Sequence, residues 1–160
     1  MRRHVSGDRR TPFFLQPVQA TDQQVMDPYL IIDGYNLMHA MGIAKQRYSD
    51  GELERCRKRM QRTLADLLDE SVLNRATVVY DAFESRSDGR RSFRANGMQI
   101  RFAPMGLCAD SEIEFLLKSH SVPKRVLVVS SDHRLHKAAN ARKASVVDSE
   151  VFWSSLEDDE

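Results

Sequence analysis

Four short apolar runs in this sequence each end on an aspartate: residues 29–33 (Y-L-I-I-D), 76–81 (A-T-V-V-Y-D), 125–132 (R-V-L-V-V-S-S-D) and 144–148 (A-S-V-V-D). Continuous apolar runs of this length, rich in Val and Ile, are the pattern of strands buried on both faces. Residues 98–103 read as a further strand, and segments of helical periodicity separate the five. Helices are expected at 36–45, 52–72, 109–120, 133–142 and 151–156. Ser49 and Glu52 form a candidate capping box before the second. Strands alternating with helices imply an α/β domain with a central parallel sheet flanked by helices. The carboxyl ends of parallel strands share one rim, so Asp33, Asp81, Asp132 and Asp148 are predicted to gather there. Ligands of such sheets sit outside that rim, where the strand order reverses.

The 160 residues suffice for one domain, assigned to 29–156. Residues 1–28, rich in Arg, Gln, Pro and Asp, are read as a disordered tail, with Phe13, Phe14 and Leu15 as a short apolar patch inside it. Residues 157–160 (E-D-D-E) are read as an acidic tail. Cys56 and Cys108 are too far apart for a zinc ribbon, and no disulfide partner is expected; both are read as small buried apolar residues. No stretch approaches the ~20 apolar residues of a membrane helix, and no apolar segment follows the N-terminal arginines. These features predict a cytoplasmic protein. The net charge is only +1. With both tails set aside the body carries +4, which is compatible with a polyanionic partner.

A fifth acidic group lies in A-D-S-E-I-E (109–114). Asp110 and Glu114 are four apart and share a helix face, whereas Glu112 is turned about 200° from Asp110. Carboxylates gathered without a cation repel one another. A hard divalent ion, Mg²⁺ or Mn²⁺, takes such oxygen ligands and serves phosphodiester hydrolysis. Each acid also has a plainer reading. Asp33 before Gly34 suits an Asx-turn, Asp132 suits the N-cap of the following helix, and Asp110 and Glu112 suit a helix dipole. Only their convergence on one rim distinguishes a metal site from a set of caps. His133 and His136 lack the companions that zinc needs and are read as surface groups or phosphate contacts. The connection 84–94 carries Arg86, Arg90, Arg91 and Arg94 with Phe93, a composition suited to single-stranded RNA, and Arg134 and Lys137 follow Asp132 closely.

D-G-Y-N-L-M (33–38), Y-D-A (80–82), A-D-S-E-I-E (109–114) and V-V-S-S-D (128–132) occur in the order and at the separations of the YacP-like branch of NYN-domain proteins, which share the PIN-like nuclease fold. The sequence resembles that family over about residues 29–153. The resemblance implies a three-layer domain, its five strands in the order 3-2-1-4-5, and metal-dependent endoribonuclease activity. Carried over by position, it makes Asp33, Asp110 and Asp132 metal ligands. Glu114 becomes a further ligand, direct or through water, or the group that orients the attacking water. Asn36 holds a ligand or the scissile phosphate, Asp81 lies at the rim, and Ser131 hydrogen-bonds a carboxylate or phosphate. RNA is the implied substrate; whether a ribosome presents it, and the oligomeric state, stay open. The sequence departs from the family pattern in its first 28 residues and in Cys108, where a threonine is expected.

Two other functions compete. A non-catalytic RNA- or ribosome-binding module on the same fold would have no use for mutually repelling acids. An aspartyl phosphotransferase would want D-x-D-x-[TV], but Tyr35 occupies the third position, and no phosphate-binding G-x-x-x-x-G-K-[ST] is present.

Overall fold

The computed structural model describes residues 12, 15, 18–19, 25–81 and 91–158. A two-residue antiparallel pair, β1 (Val18–Gln19) with β2 (Val25–Met26), precedes the main sheet. That sheet has six strands: β3 (Tyr29–Asp33), β4 (Ala76–Tyr80), β5 (Ser92–Ala95), β6 (Met98–Phe102), β7 (Val126–Val129) and β8 (Ser145–Val147). Their order is β5-β6-β4-β3-β7-β8. The five anticipated strands are parallel and stand in the 3-2-1-4-5 arrangement. The domain is the three-layer α/β fold that the alternation implied.

Side-chain alternation on these strands builds two cores. Leu30 and Ile32, Val78 and Tyr80, Leu127 and Val129 face one side, with Met98, Ile100 and Phe102. They pack against α1 (Gly34–Ala40), α2 (Glu52–Leu67), α3 (Glu70–Leu73) and α6 (Ser149–Asp158) through Leu37, Met38, Met60, Leu64, Leu73, Phe152 and Leu156. Ile31, Val79, Val126 and Val128 face the other side, against α4 (Ala109–Ser119) and α5 (His133–Ala141). On this second face β6 presents Arg101 instead of an apolar residue, and Glu112 of α4 meets it at 2.7 Å. The helical spacing that turned Glu112 away from Asp110 thus sends it into a half-buried ion pair.

The structure departs from the sequence reading at several points. Part of the connection 84–94 is a strand: β5 returns antiparallel on β6 through Asn96 and Gly97, both at positive φ, with Ala95 opposite Met98. Asn-Gly between alternating apolar residues is the preferred two-residue hairpin turn, and that signal was available in the sequence. The second helix stops at Leu68 instead of running to residue 72. In one uninterrupted helix Leu73 would point about 180° away from Leu64; the break before α3 lets both be buried. The first helix begins at Gly34 and ends at Ala40, earlier than expected, because Asp33 caps it. The capping box is half formed: the Glu52 carboxylate accepts from the Ser49 amide at 3.0 Å, while the N-cap itself is Gly51. Glu157 and Asp158 belong to α6, not to a tail.

Part of the expected N-terminal tail is packed. Leu15 is buried in the first core, and its amide donates to Pro12 O at 2.9 Å. Val18–Gln19 and Val25–Met26 of the same segment form the β1–β2 pair, while Phe13 and Phe14 lie outside the described residues, as do 159–160. Cys56 packs against the core as expected, but Cys108 is exposed. No helix among the described residues is long and apolar enough to cross a membrane.

Gly34 is where the first strand turns into α1 against the sheet. A Cβ there would lie 2.5 Å from Tyr80 Cε1 and 3.0 Å from Val78 Cγ1. The Tyr80 ring has little room to yield: it packs on Phe102, and its hydroxyl accepts from Gln61 Nε2 at 2.9 Å. At an unhindered helical position Gly→Ala stabilises by about 1 kcal/mol. Gly34→Ala is expected to have the opposite sign, destabilising by about 1–3 kcal/mol through overpacking. Urea denaturation measures it; an unchanged or raised midpoint would mean that the strand–helix junction is looser than described.

Candidate active site

β3 lies between β4 and β7, and the strands after it are added first on its β4 side and then on its β7 side, so the strand order reverses here. Asp33 ends β3. Ile32 pairs with Val129, which brings Asp33 beside Ser130, the first residue after β7. Asp33 is 5% exposed, and its carboxylate is held at both oxygens. The Ser130 hydroxyl donates to Oδ2 at 3.1 Å, and the Asn36 amide approaches Oδ1 at 3.5 Å as the helix cap. The Ser130 hydroxyl oxygen in turn accepts from the Asp132 amide at 3.1 Å. One serine thereby ties the buried aspartate of β3 to the loop that carries the aspartate after β7.

Asp132 caps α5, accepting from the Arg134 amide at 2.8 Å. Its carboxyl also shares a hydrogen bond with that of Asp110, in the first turn of α4. Two carboxyls this close compete for one proton, and the competition raises Asp110 and lowers Asp132. Burial, the hydrogen bond to Asp132 and the charges of Asp132 and Asp33 push Asp110 up to about 7, against the pull of Arg134. Asp132 is correspondingly held below the usual carboxylate range, chiefly by that hydrogen bond and then by the Arg134 amide. Burial pushes Asp33 up to about 6; the Ser130 and Asn36 hydrogen bonds oppose this, and the charges of Asp81 and Asp132 add to it. Asp33, Asp110 and Asp132 therefore sense one another.

The other expected site residues are distributed as follows. Asp81 is exposed at the rim, and its Oδ1 accepts from the Ala109 amide at 2.8 Å, capping α4 across the sheet edge. Glu114 is turned toward Arg134 and forms an ion pair with its Nε. The same guanidinium reaches Ser111 Oγ at 3.3 Å. Asp148 does not join the acidic group; it faces His136 at 3.2 Å. The Asn36 side-chain oxygen accepts from the Ser131 amide at 3.0 Å and from the Ser149 hydroxyl at 3.1 Å. That fixes the orientation of the amide and leaves its NH₂ as the group to offer a ligand. Ser131 Oγ is committed to the Ser149 amide at 3.1 Å. Arg91 precedes β5 at the rim end of the edge hairpin. Arg94 lies toward the hairpin turn, away from the aspartates, and donates to Gly97 O at 3.0 Å. Arg86 and Arg90 fall outside the described residues. Lys137 lines a cleft beside Arg134.

Ser130 and Ser149 are site residues that sequence reasoning passes over. Ser130 lies inside the V-V-S-S-D block. Ser149 reaches Asn36 from 113 positions away, and no local signal marks it.

The sequence matches the profile of the YacP-like NYN domain over residues 30–160. The chain belongs to the YacP-like NYN family. The fold is similar to the crystal structure of Rae1 (YacP) from Bacillus subtilis, with a TM-score of 0.64 at 22% identity over 83% of this chain and 75% of that one. A tryptophan-to-leucine variant of that protein gives a TM-score of 0.58 at 19% identity, over 81% and 74%. No curated protein matches the sequence. Membership in the NYN family and the PIN-like fold make the rim with Asp33, Asp110 and Asp132 the place to look for chemistry.

The donor set fits a hard divalent ion, since the converging side chains offer only carboxylate oxygen. Among the described residues, however, no three His, Cys, Asp or Glu side chains are close enough to form a ready-made cage. An all-protein cage is not what Mg²⁺ needs. It keeps several waters and takes one or two carboxylates together with substrate phosphate.

The upward shift of Asp110 has a consequence for stability. A carboxyl whose value is raised on folding holds its proton more tightly in the native state, so its contribution is complete below the unfolded value. It is lost as pH rises from about 4 through about 7. The metal-free protein should lose stability across that interval, and Asp110→Asn should melt higher than wild type above pH ~7, with the gap closing near pH ~4. Thermal melts in EDTA check this. A variant that melts lower than wild type at every pH would mark Asp110 as a structural group.

Proposed function

We propose that this domain is a divalent-metal-dependent endoribonuclease that hydrolyses RNA phosphodiester bonds at the rim of β3 and β7. The observation that carries the reading is the convergence on one rim of the buried Asp33 with Asp132, tied to it through Ser130, and with Asp110 of α4, each carboxyl shifted by the charge of its neighbours. Acids held this close raise the native state's energy, and a cation relieves the repulsion. Family membership supports the same reading.

In this proposal Asp110 and Asp132 hold Mg²⁺ or Mn²⁺, with Asp33 completing the site directly or through water. The ion supplies activation of a water nucleophile and neutralisation of charge on the phosphorane and the leaving oxygen. The chain's own residues do the positioning. Ser130 holds Asp33 and the Asp132 loop together, so the acids cannot drift apart as they ionise. Asn36, its oxygen already engaged, offers its NH₂ to a phosphate oxygen. Arg134 is anchored by Glu114 and stands at the mouth as a fixed cation for the backbone. Glu114 thus acts through Arg134 and not as a metal ligand. Lys137, and Arg91 on the rim end of the hairpin, are further phosphate contacts. Ser131, tied to α6, keeps Asn36 and the Asp132 loop in register.

Asp132→Asn keeps an acceptor for the Arg134 amide but removes the charge. It is expected to lower RNA cleavage in Mg²⁺ or Mn²⁺ by at least about 1,000-fold, equivalent to several kcal/mol of charge stabilisation, while leaving the fold intact. Cleavage of mixed cellular RNA, with mapped ends, is the measurement. Equal cutting by purified wild type and Asp132→Asn would sink the proposal. RNA binding by a wild type that never cuts would favour an RNA-binding module instead.

A further inference from the structure

Beyond the acidic rim, α4 and α5 enclose a cleft of about 580 Å³. The two helices meet along their sheet-facing sides, where Ile113, Leu117, Leu135 and Ala139 are buried together. Farther out, α5 presents Ala138 and Ala141, whose side chains are too short to fill the gap, and the gap stays open. Arg142 closes one end, its guanidinium donating to Leu117 O and Lys118 O at 3.3 Å at the end of α4. Arg134 and Glu114 form the other end and adjoin Ser111 and Asp110.

The cleft's charge is one-sided. Lys118, Lys137 and Arg142 line it, and among the described residues neither lysine has an acidic partner. Its one acid, Glu114, is already paired with Arg134. Arg142 meets backbone carbonyls and so keeps its charge unneutralised by carboxylate. An apolar floor of Leu117, Ala138 and Ala141 lies beneath these cations, with the exposed His133 ring at the side.

We infer that the α4–α5 cleft is a subsite for one unpaired nucleotide of single-stranded RNA, adjoining the phosphodiester held at the acidic rim. The inference deepens the nuclease reading and rests on it for the word adjoining. An anionic strand is repelled by the aspartates and attracted by the cations beside them, so the strand's neighbouring phosphates belong over Lys118 and Lys137. The volume lies within the about 300–1,000 Å³ of ligand pockets, and the apolar floor suits the face of a base. His133 and Arg134 offer planes for stacking. A paired base keeps its faces against its neighbours in the helix, so duplex RNA leaves the floor empty.

The test separates binding from cleavage. A fluorescent oligouridylate of about ten nucleotides is titrated in EDTA with the full chain, with Lys118→Glu and with Ala141→Glu. Both substitutions put a negative charge at an exposed position of the cleft. Arg62→Glu, an exposed site on α2 across the sheet, controls for net charge. Each cleft variant is expected to bind about tenfold more weakly with an unchanged melting midpoint. Lys118→Glu should make the slope of log affinity against log salt shallower by about 0.7, because one phosphate no longer has a cation to neutralise it. Duplex RNA should bind the wild type more weakly than the single strand. Cleft variants that bind within about twofold of wild type, or a control that weakens binding equally, would overturn the inference while leaving the nuclease reading standing. A wild type that binds through the cleft but never cleaves would do the reverse.

Discussion

The arrangement of this domain turns on the forced proximity of carboxylates at the end of two neighbouring strands. Asp33 and Asp132 are brought to the same rim by the parallel pairing of β3 with β7, and Asp110 is delivered by the helix that follows β6. Nothing in water would bring such groups together. Asp33 and Asp132 are held by amides at helix starts, Asp110 by its place in the first turn of α4, and Ser130 spans the gap between the first two. The energy of burying apolar strands on two faces is what maintains an electrostatically unfavourable edge.

Caps and a shared acidic rim, alternatives from the sequence alone, coexist in the structure. Asp33, Asp81 and Asp132 are caps: each accepts from a backbone amide at a helix start. Two of them, Asp33 and Asp132, also share the rim with Asp110. In a parallel α/β sheet the end of a strand and the start of its helix are the same few residues, so an aspartate there can serve both purposes. Asp148 shows that position alone is insufficient. It follows the edge strand β8, one strand farther out, and pairs with His136, whose Nε2 also lies 2.8 Å from Ser130 O.

Most of the architecture was legible because burial on both faces leaves a plain mark, a continuous apolar run, and because a spacing of four places two acids on one helix face. What was not legible depended on partners far off in the chain. The 109–114 spacing says that Glu112 avoids Asp110; only the pairing of β4 with β6 reveals that Arg101 awaits it. It likewise puts Glu114 on the same face as Asp110 but cannot foresee that Arg134 intercepts it. Ser149 fixes Asn36 through a contact that no local pattern encodes. The β5 hairpin is a different case. Its Asn96-Gly97 turn was readable, but the arginines around it suggested a loop.

Leu15 has a bearing on where this folding unit ends. Its side chain fills a place in the first core, 15 positions ahead of the residue at which the match to the family profile starts. The physical domain is therefore longer than the one that sequence comparison outlines. A fragment trimmed to the family boundary would keep every acid of the rim and still carry a hole in the first core. Loss of function in such a fragment would say more about a missing leucine than about the chemistry.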